Sequence, residues 1–301
     1  MATEVSTTPI AAPQIRTGPT RRPRRTAPEG GRVNWGLTIT VAIVSLIIIL
    51  PLYFAIAMAL KSPAQTGTGT GFNFPWPIQW GNFRAAWDLT DTPLAASMSL
   101  LITLLAVVGE ILVSALAAWS IVRNWGHWQF RATFGYLMIA LFIPFPVVAL
   151  PQVKLMAAIG LDNPFGVAIL HIMFNLAFNV LLFSAFIRGI PVELEESARI
   201  DGCTTWQTFR KIVLPLLAPI SATVGIFAFL QSWNDFMMPQ LITANPKWQT
   251  LPVVQYLFQD QFTTNINVAF ASYLMALLPT LVAFLIAQRW VVSGIMRGSI
   301  K

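Results

Sequence analysis

Apolar residues in this chain gather into long unbroken runs, not into the alternating or every-third-position patterns of half-buried strands and surface helices. Six such runs cover residues 35–60, 94–122, 132–149, 167–186, 219–242 and 268–292. Each approaches or exceeds the ~20 residues that a helix needs to cross the hydrocarbon core of a bilayer. The pattern predicts an all-α, polytopic membrane protein with six transmembrane helices. The third run is the shortest, and Pro144 and Pro146 within it predict a kink, with helix continuing toward Ala158. Between the fourth and fifth runs lies a polar, charged island, residues 187–218, that reads as two short helices parted at Gly202.

Composition supports the membrane class. The chain is 55% hydrophobic and only 10% charged, where a soluble domain carries roughly 25% charged residues. A single cysteine, Cys203, excludes an internal disulfide framework. His127 and His171 lie too far apart in sequence for metal-ligand spacing. Lysine and arginine set the orientation. With the N-terminus in the cytoplasm, the inner segments hold fifteen of them, and the outer loops hold four, Lys61, Arg84, Lys154 and Lys247. The expectation is a multi-pass protein of the cell membrane, in contact with lipid, with both termini and the 187–218 loop cytoplasmic. The formal charge of +7 reflects this sidedness and calls for no nucleic acid.

Residues 1–34 are rich in Thr, Pro and Arg and are expected to be a disordered basic cytoplasmic tail. The arginines at 21–25 suit anionic lipid headgroups, or serve only to keep the tail inside. Ala55-Ile56-Ala57 mimics a signal-peptide cleavage site, but the run before it exceeds the usual 7–15 residue apolar region, so it reads as an uncleaved span. The sequence GTGTG at residues 67–71 is followed by Phe72-Asn73-Phe74-Pro75-Trp76-Pro77. That segment cannot start the helix a phosphate cradle requires, so the stretch reads as a flexible linker. No G-x-x-x-x-G-K-[ST] sequence occurs, so the chain carries no P-loop ATPase of its own.

The island has legible mechanics. Pro191 suits a first helical turn, and Glu193, Glu195 and Glu196 oppose the helix dipole there. Glu195 and Glu196 are spaced to pair with Arg199. Asp201-Gly202 ends the helix, Thr204 or Thr205 caps a second one, and Arg210 and Lys211 complement its far end. Apolar Ile200, Trp206 and Phe209 are then exposed. They fit either a partner's groove or an amphipathic loop resting on lipid.

With Glu196-Ser197-Ala198, Asp201-Gly202, Phe209 and Leu214-Pro215 at this spacing, the island resembles the EAA signature of ABC importer permeases. Ser197 stands where that signature has its middle alanine. The resemblance implies a coupling helix built from Glu196, Ser197, Ala198, Ile200, Asp201, Gly202, Trp206, Phe209, Leu214 and Pro215. Such a helix docks in a groove of a cytoplasmic ATPase and passes its closure to the spans. Residues 80–87, WGNFRAAW, and Trp233-Asn234-Asp235-Phe236 are similar to segments of carbohydrate permeases, and residues 287–301 to the C-terminus of the smaller, maltose-type subunit. The resemblance covers residues 35–301, which it makes a six-span permease domain. It implies a permease subunit of an ATP-driven, binding-protein-dependent importer that translocates a sugar or oligosaccharide into the cytoplasm. Enzyme activity and cofactors are not implied for this chain, since ATP and Mg belong to the partner ATPase. The implied partners are a second homologous permease, two cytoplasmic ATP-binding subunits and an extracytoplasmic solute-binding protein. Arg297 to Lys301 are implied to reach between the ATPases.

Polar residues inside the spans mark a candidate pathway. A charge at mid-membrane costs about 2.5–3.5 kcal/mol on insertion scales and therefore faces protein or water. Glu110 lies near the middle of the second run. His171, Asn175 and Asn179, at i, i+4 and i+8, share one face of the fourth. Gln231, Asn234 and Asp235 cluster in the outer half of the fifth. Amides and carboxylates suit sugar hydroxyls, and Trp233, Phe236 and Tyr273 offer aromatic faces. Interhelical hydrogen bonding explains the same positions, with Glu110 bonded to a neighbouring span. An alternative function is an ion-coupled secondary transporter acting without an ATPase, with Glu110 and Asp235 as ion ligands. No nucleophile-base spacing supports a membrane enzyme. The scarcity of lysine and arginine in the spans argues against a strongly anionic solute.

Overall fold

The computed structural model describes residues 34–243, 245–257 and 265–299, with backbone alone at 287 and from 289 onward. The tail expected over residues 1–34, apart from Asn34, and the side chains of Arg297–Lys301 fall outside the described residues. Among the described residues every regular element is helical. Contacts divide the chain into Met1–Ile49 and Leu50–Lys301. In the first unit, the described residues start helix α1 (Trp35–Ala59), opened by Asn34, whose Oδ1 accepts the N–H of Leu37 at 3.3 Å. Their large apolar side chains are exposed, as a lipid-facing surface requires.

The second unit is organised around three helices. α4 (Thr92–Arg123) and α7 (Pro164–Ile187) run side by side in the same direction. α11 (Ala218–Asn234) crosses them in the opposite sense. Small buried residues, Ala106, Ala115 and Ala118 on α4 and Ala168 and Ala177 on α7, let the backbones approach. α14 (Ile266–Ser299) packs against α11 and α3 (Gly81–Leu89). The remaining short helices are α2 (Pro63–Thr68), α8 (Glu193–Ile200), α9 (Thr205–Thr208), α10 (Leu214–Leu216), α12 (Met237–Ile242) and α13 (Leu251–Leu257).

Four helices, α1, α4, α7 and α14 over Ile266–Ile286, are individually long and apolar enough to cross a membrane. Six crossings result if each of two bent helix pairs counts as one. The third run is broken rather than kinked: α5 (Trp128–Ala140) and α6 (Phe145–Ala158) meet at 107°. Pro144 holds extended backbone at the start of α6, and Pro146 lies in its first turn. Two prolines so close remove donors and exclude Ile143 from helical geometry. The fifth run is also shorter than expected. α11 ends at Asn234, Asp235 is extended, and its Oδ1 accepts the N–H of Met237 at 3.0 Å to open α12. A side chain that bonds backbone two residues on competes with continued helix.

The segment expected as a flexible linker is an ordered cap. Lys61 is buried and its Nζ donates to the carbonyls of Thr70 at 2.8 Å and Gly71 at 3.1 Å. Ser62 and Gln65 form a reciprocal capping box that starts α2. Asn82 Nδ2 donates to the carbonyls of Ala59 and Lys61, both at 2.8 Å. Burial of a long charged side chain is stabilising only when its donors are used, and here carbonyls of the glycine-rich turn use them.

A Cβ at Gly166, in the first turn of α7, would overlap the backbone carbonyl of Leu161. No rotamer change relieves that overlap. Gly166→Ala is expected to destabilise the fold by about 1–3 kcal/mol, read as a lowered Tm in detergent. Gly225→Ala, whose nearest contact would be the tip of the Ile111 side chain at 3.2 Å, should shift Tm less.

Candidate functional site

The 187–218 loop is seated on the ends of α4 and α7. α8 starts at Glu193, after Val192 rather than at Pro191, and its acidic first turn opposes the dipole. Its end is a Schellman arrangement: Gly202 N–H donates to Arg199 O at 3.0 Å, and Cys203 N–H to Ala198 O at 2.9 Å. Gly202 has φ +84°, a conformation that costs other residues energy. Thr204, not Thr205, caps α9 through a capping box with Gln207. A π-turn over Phe209–Val213 leads into α10, which carries Pro215. The run Thr205–Leu216 meets α11 at 76°.

Burial divides the loop residues into two sets. Ile200 is 87% exposed and Trp206 58% exposed, and Glu196, Ser197, Asp201, Gly202 and Pro215 are also at the surface. Ala198 and Phe209 are buried and Leu214 is half-buried. The expectation that Phe209 is exposed is therefore corrected. Phe209, Val213 and Leu217 form one core with Trp119, Val180, Phe183 and Ile187, and the ring of Phe209 lies 5.2 Å from that of Trp119.

The expected pairing of Glu195 with Arg199 is also replaced. Glu195 is 1% exposed. Its Oε1 accepts from Arg123 Nε at 2.8 Å, and its Oε2 from Trp119 Nε1 at 3.0 Å. Arg123 also donates to the carbonyl of Ile190 at 3.1 Å. This contact ties α8 to the last turn of α4, and it was hidden in the sequence among three nearby glutamates. The signal available was an arginine closing an apolar span four positions after a tryptophan.

The polar residues of the spans fall into two groups. Glu110 is 1% exposed, and its two carboxylate oxygens accept from Asn175 Nδ2 at 2.9 Å and Asn179 Nδ2 at 2.8 Å. These side chains line a cleft of about 400 Å³ together with Phe178, Phe227 and Gln231. His171, one turn before Asn175 on the same face of α7, bonds other partners. Its Nε2 meets Asp235 Oδ2 at 2.8 Å, its Nδ1 meets Ser232 Oγ at 3.0 Å, and Ser232 donates to Thr103 at 3.3 Å. Ser232 and Thr103 gave no sequence signal beyond being hydroxyls in apolar runs. Trp233 is buried, donates to Ala276 O at 3.1 Å and stacks on Phe229. Asn234 bonds Leu230 O at 2.6 Å and accepts from Thr280 at 3.4 Å. Phe236 packs on Tyr256, with ring centroids 4.6 Å apart. Tyr273 is exposed on α14 and does not line the Glu110 cleft. The geometry thus joins Glu110, Asn175, Asn179 and Gln231, and sets Trp233, Asn234, Asp235 and Tyr273 apart from them.

Residues 110–297 match the family described as "Binding-protein-dependent transport system inner membrane component". The chain is 34% identical over 206 residues to the multiple sugar-binding transport system permease protein MsmG of Streptococcus mutans, covering 67% of this chain and 74% of that one. It is 32% identical to the melibiose/raffinose/stachyose import permease protein MelC of Bacillus subtilis, over 75% and 83% of the two chains. In fold it resembles the crystal structure of a bacterial ABC transporter involved in import of the acidic polysaccharide alginate. That match has a TM-score of 0.74 at 20% identity, and covers 85% of this chain and 95% of the other.

Truncating one partner of a buried ion pair leaves the other charge uncompensated, at a cost of about 3–5 kcal/mol. Glu195→Ala is expected to lower stability by about 3 kcal/mol, with Arg123 left beside Trp119 and an apolar core. The double variant Glu195→Ala/Arg123→Ala should lose clearly less than the sum of the single losses. A thermodynamic cycle from unfolding in detergent measures that coupling, and strict additivity would show that the pair is not energetically linked.

Proposed function

The chain belongs to the family of binding-protein-dependent transport system inner membrane components and is a multi-pass membrane protein; from this premise we propose that it is the permease subunit of an ATP-driven importer carrying a sugar or oligosaccharide into the cytoplasm. The relatives' names, for multiple-sugar and for melibiose, raffinose and stachyose import, support the substrate class. The 187–218 loop carries the reading, because its outer side offers Ile200 and Trp206 while its inner side is fastened to the bundle. The excess of lysine and arginine on the side of this loop and the two termini supports a cytoplasmic position.

In this proposal ATP and Mg are bound by two cytoplasmic ATPase subunits, since the chain has no P-loop sequence. A second homologous permease and an extracytoplasmic solute-binding protein complete the assembly. A structural relative, 19% identical with a TM-score of 0.62, is an alginate transporter in complex with a pentasaccharide-bound periplasmic protein. ATPase closure displaces α8 and α9. Glu195 is pinned to Trp119 and Arg123, and Phe209, Val213 and Leu217 share one core with residues of α4 and α7. The displacement therefore passes into the helices instead of being absorbed by the loop. α4 is unbroken from Arg123 back to Glu110, a rise of about 20 Å. ATP supplies the differential binding energy that shifts the permease between its two accessible states.

Apolar side chains at the centre of such an interface are the ones whose loss is felt most. Ile200→Asp/Trp206→Asp is expected to reduce ATPase retention on the purified complex at least tenfold, with membrane insertion unchanged by protease protection. Gly202→Pro cannot keep the +84° backbone angle or the bond to Arg199 and should abolish transport-coupled ATP hydrolysis. Full ATPase retention and coupled hydrolysis in both variants would sink the coupling role.

A further inference from the structure

We infer that the Glu110 cleft is a binding subsite, on this subunit, for a neutral saccharide and not for an acidic one. This rests on the importer reading and adds where the cargo touches the chain and what charge it carries. The cleft opens between α4, α7 and α11 and has about 400 Å³ of space, within the usual ~300–1,000 Å³ of small-molecule sites. Its polar lining is mid-span. A carboxyl and three amides at that depth do not face hydrocarbon, so the cleft looks onto water or protein.

The hydrogen bonds set the chemistry on offer. Asn175 and Asn179 each give an N–H to Glu110, which fixes both amides and leaves their oxygens as the remaining acceptors. Asn179 is buried, so Asn175 is the one of the pair that reaches the opening. Gln231 is exposed on α11 and brings both a donor and an acceptor to the cleft. Phe178 and Phe227, 44% and 46% exposed, present apolar ring surface beside these groups. Fixed amides next to aromatic faces suit a polyhydroxylated ring, with hydroxyls on its edge and C–H groups on its faces.

Charge decides the class. α7 and α11 contain no lysine or arginine, and α4 has only Arg123 at its last position, where it is committed to Glu195. A uronate or sulfonate entering the cleft would be desolvated beside a carboxyl group with no lysine or arginine to meet it, and His171, one turn away on α7, is already engaged by Asp235. That arrangement is strongly unfavourable whatever hydroxyl contacts accompany it. A neutral oligosaccharide meets no such cost.

The test uses the complete importer in nanodiscs without its solute-binding protein, and saturation-transfer NMR with raffinose, maltotriose and trigalacturonic acid. At least one neutral sugar should receive saturation, and its signal should fall severalfold in Asn175→Leu and in Gln231→Leu. Trigalacturonic acid should receive none, and should gain signal in Gln231→Arg. Absence of signal from both neutral sugars, signals unchanged in the two leucine variants, or equal signal from the acidic sugar would each overturn the proposal. ATP hydrolysis stimulated by the solute-binding protein is measured on the same nanodiscs. Stimulated hydrolysis without saccharide signal removes the subsite and leaves the importer reading standing; saccharide signal without any retained ATPase does the reverse.

Discussion

A hydrocarbon layer offers no hydrogen-bond partner, so a polar group placed in it must find one inside the protein. The α4–α7–α11 bundle is arranged under that constraint. Glu110 is met by two amides from α7 and Asp235 by His171, and at the end of the bundle Glu195 of the loop is met by a tryptophan and an arginine of α4. Each solution joins two helices. The polar residues that make the bundle costly to bury thereby also fix which helices are neighbours and in what register.

The same contacts connect the loop with the bundle interior. α4 holds Arg123 and Trp119 at one end, Glu110 near its middle and Thr103 beyond. It is the longest helix with fully described side chains, and it has no proline inside it past its first turn. α5 and α6, by contrast, part at 107°, and α11 gives way to α12 at Asp235. An unbroken helix beside bent ones is a natural carrier of displacement, because breaks at proline or at capping aspartate absorb motion that an intact hydrogen-bond ladder transmits.

The apolar runs forecast α1, α4, α7 and the start of α14 to within a few residues, because a span's length is imposed by bilayer thickness and needs no partner. The helix ends of the loop were also legible, since Gly202 and the Thr204 capping box act over only three or four residues. The broken spans were not. Whether two prolines kink a helix or part it depends on what the neighbours can satisfy. The inward turn of Phe209 was not visible either, because a loop of mixed residues exposes whichever side its support leaves open. The choice of Glu195 over Glu196 as the buried acid has the same origin.

The chain by itself determined that it crosses a membrane, on which side its charges gather, and that a bent, capped helical pair interrupts the spans. Those properties follow from transfer energies and from bonds between residues a few positions apart. Only the tertiary structure decided that His171 bonds Asp235 while Asn175 and Asn179 bond Glu110, that Trp233 is packing between α11 and α14, and that Glu110 looks into a cleft. These outcomes join residues 43 to 69 positions apart, and pairing over such distances is set by how helices pack, which no local pattern encodes.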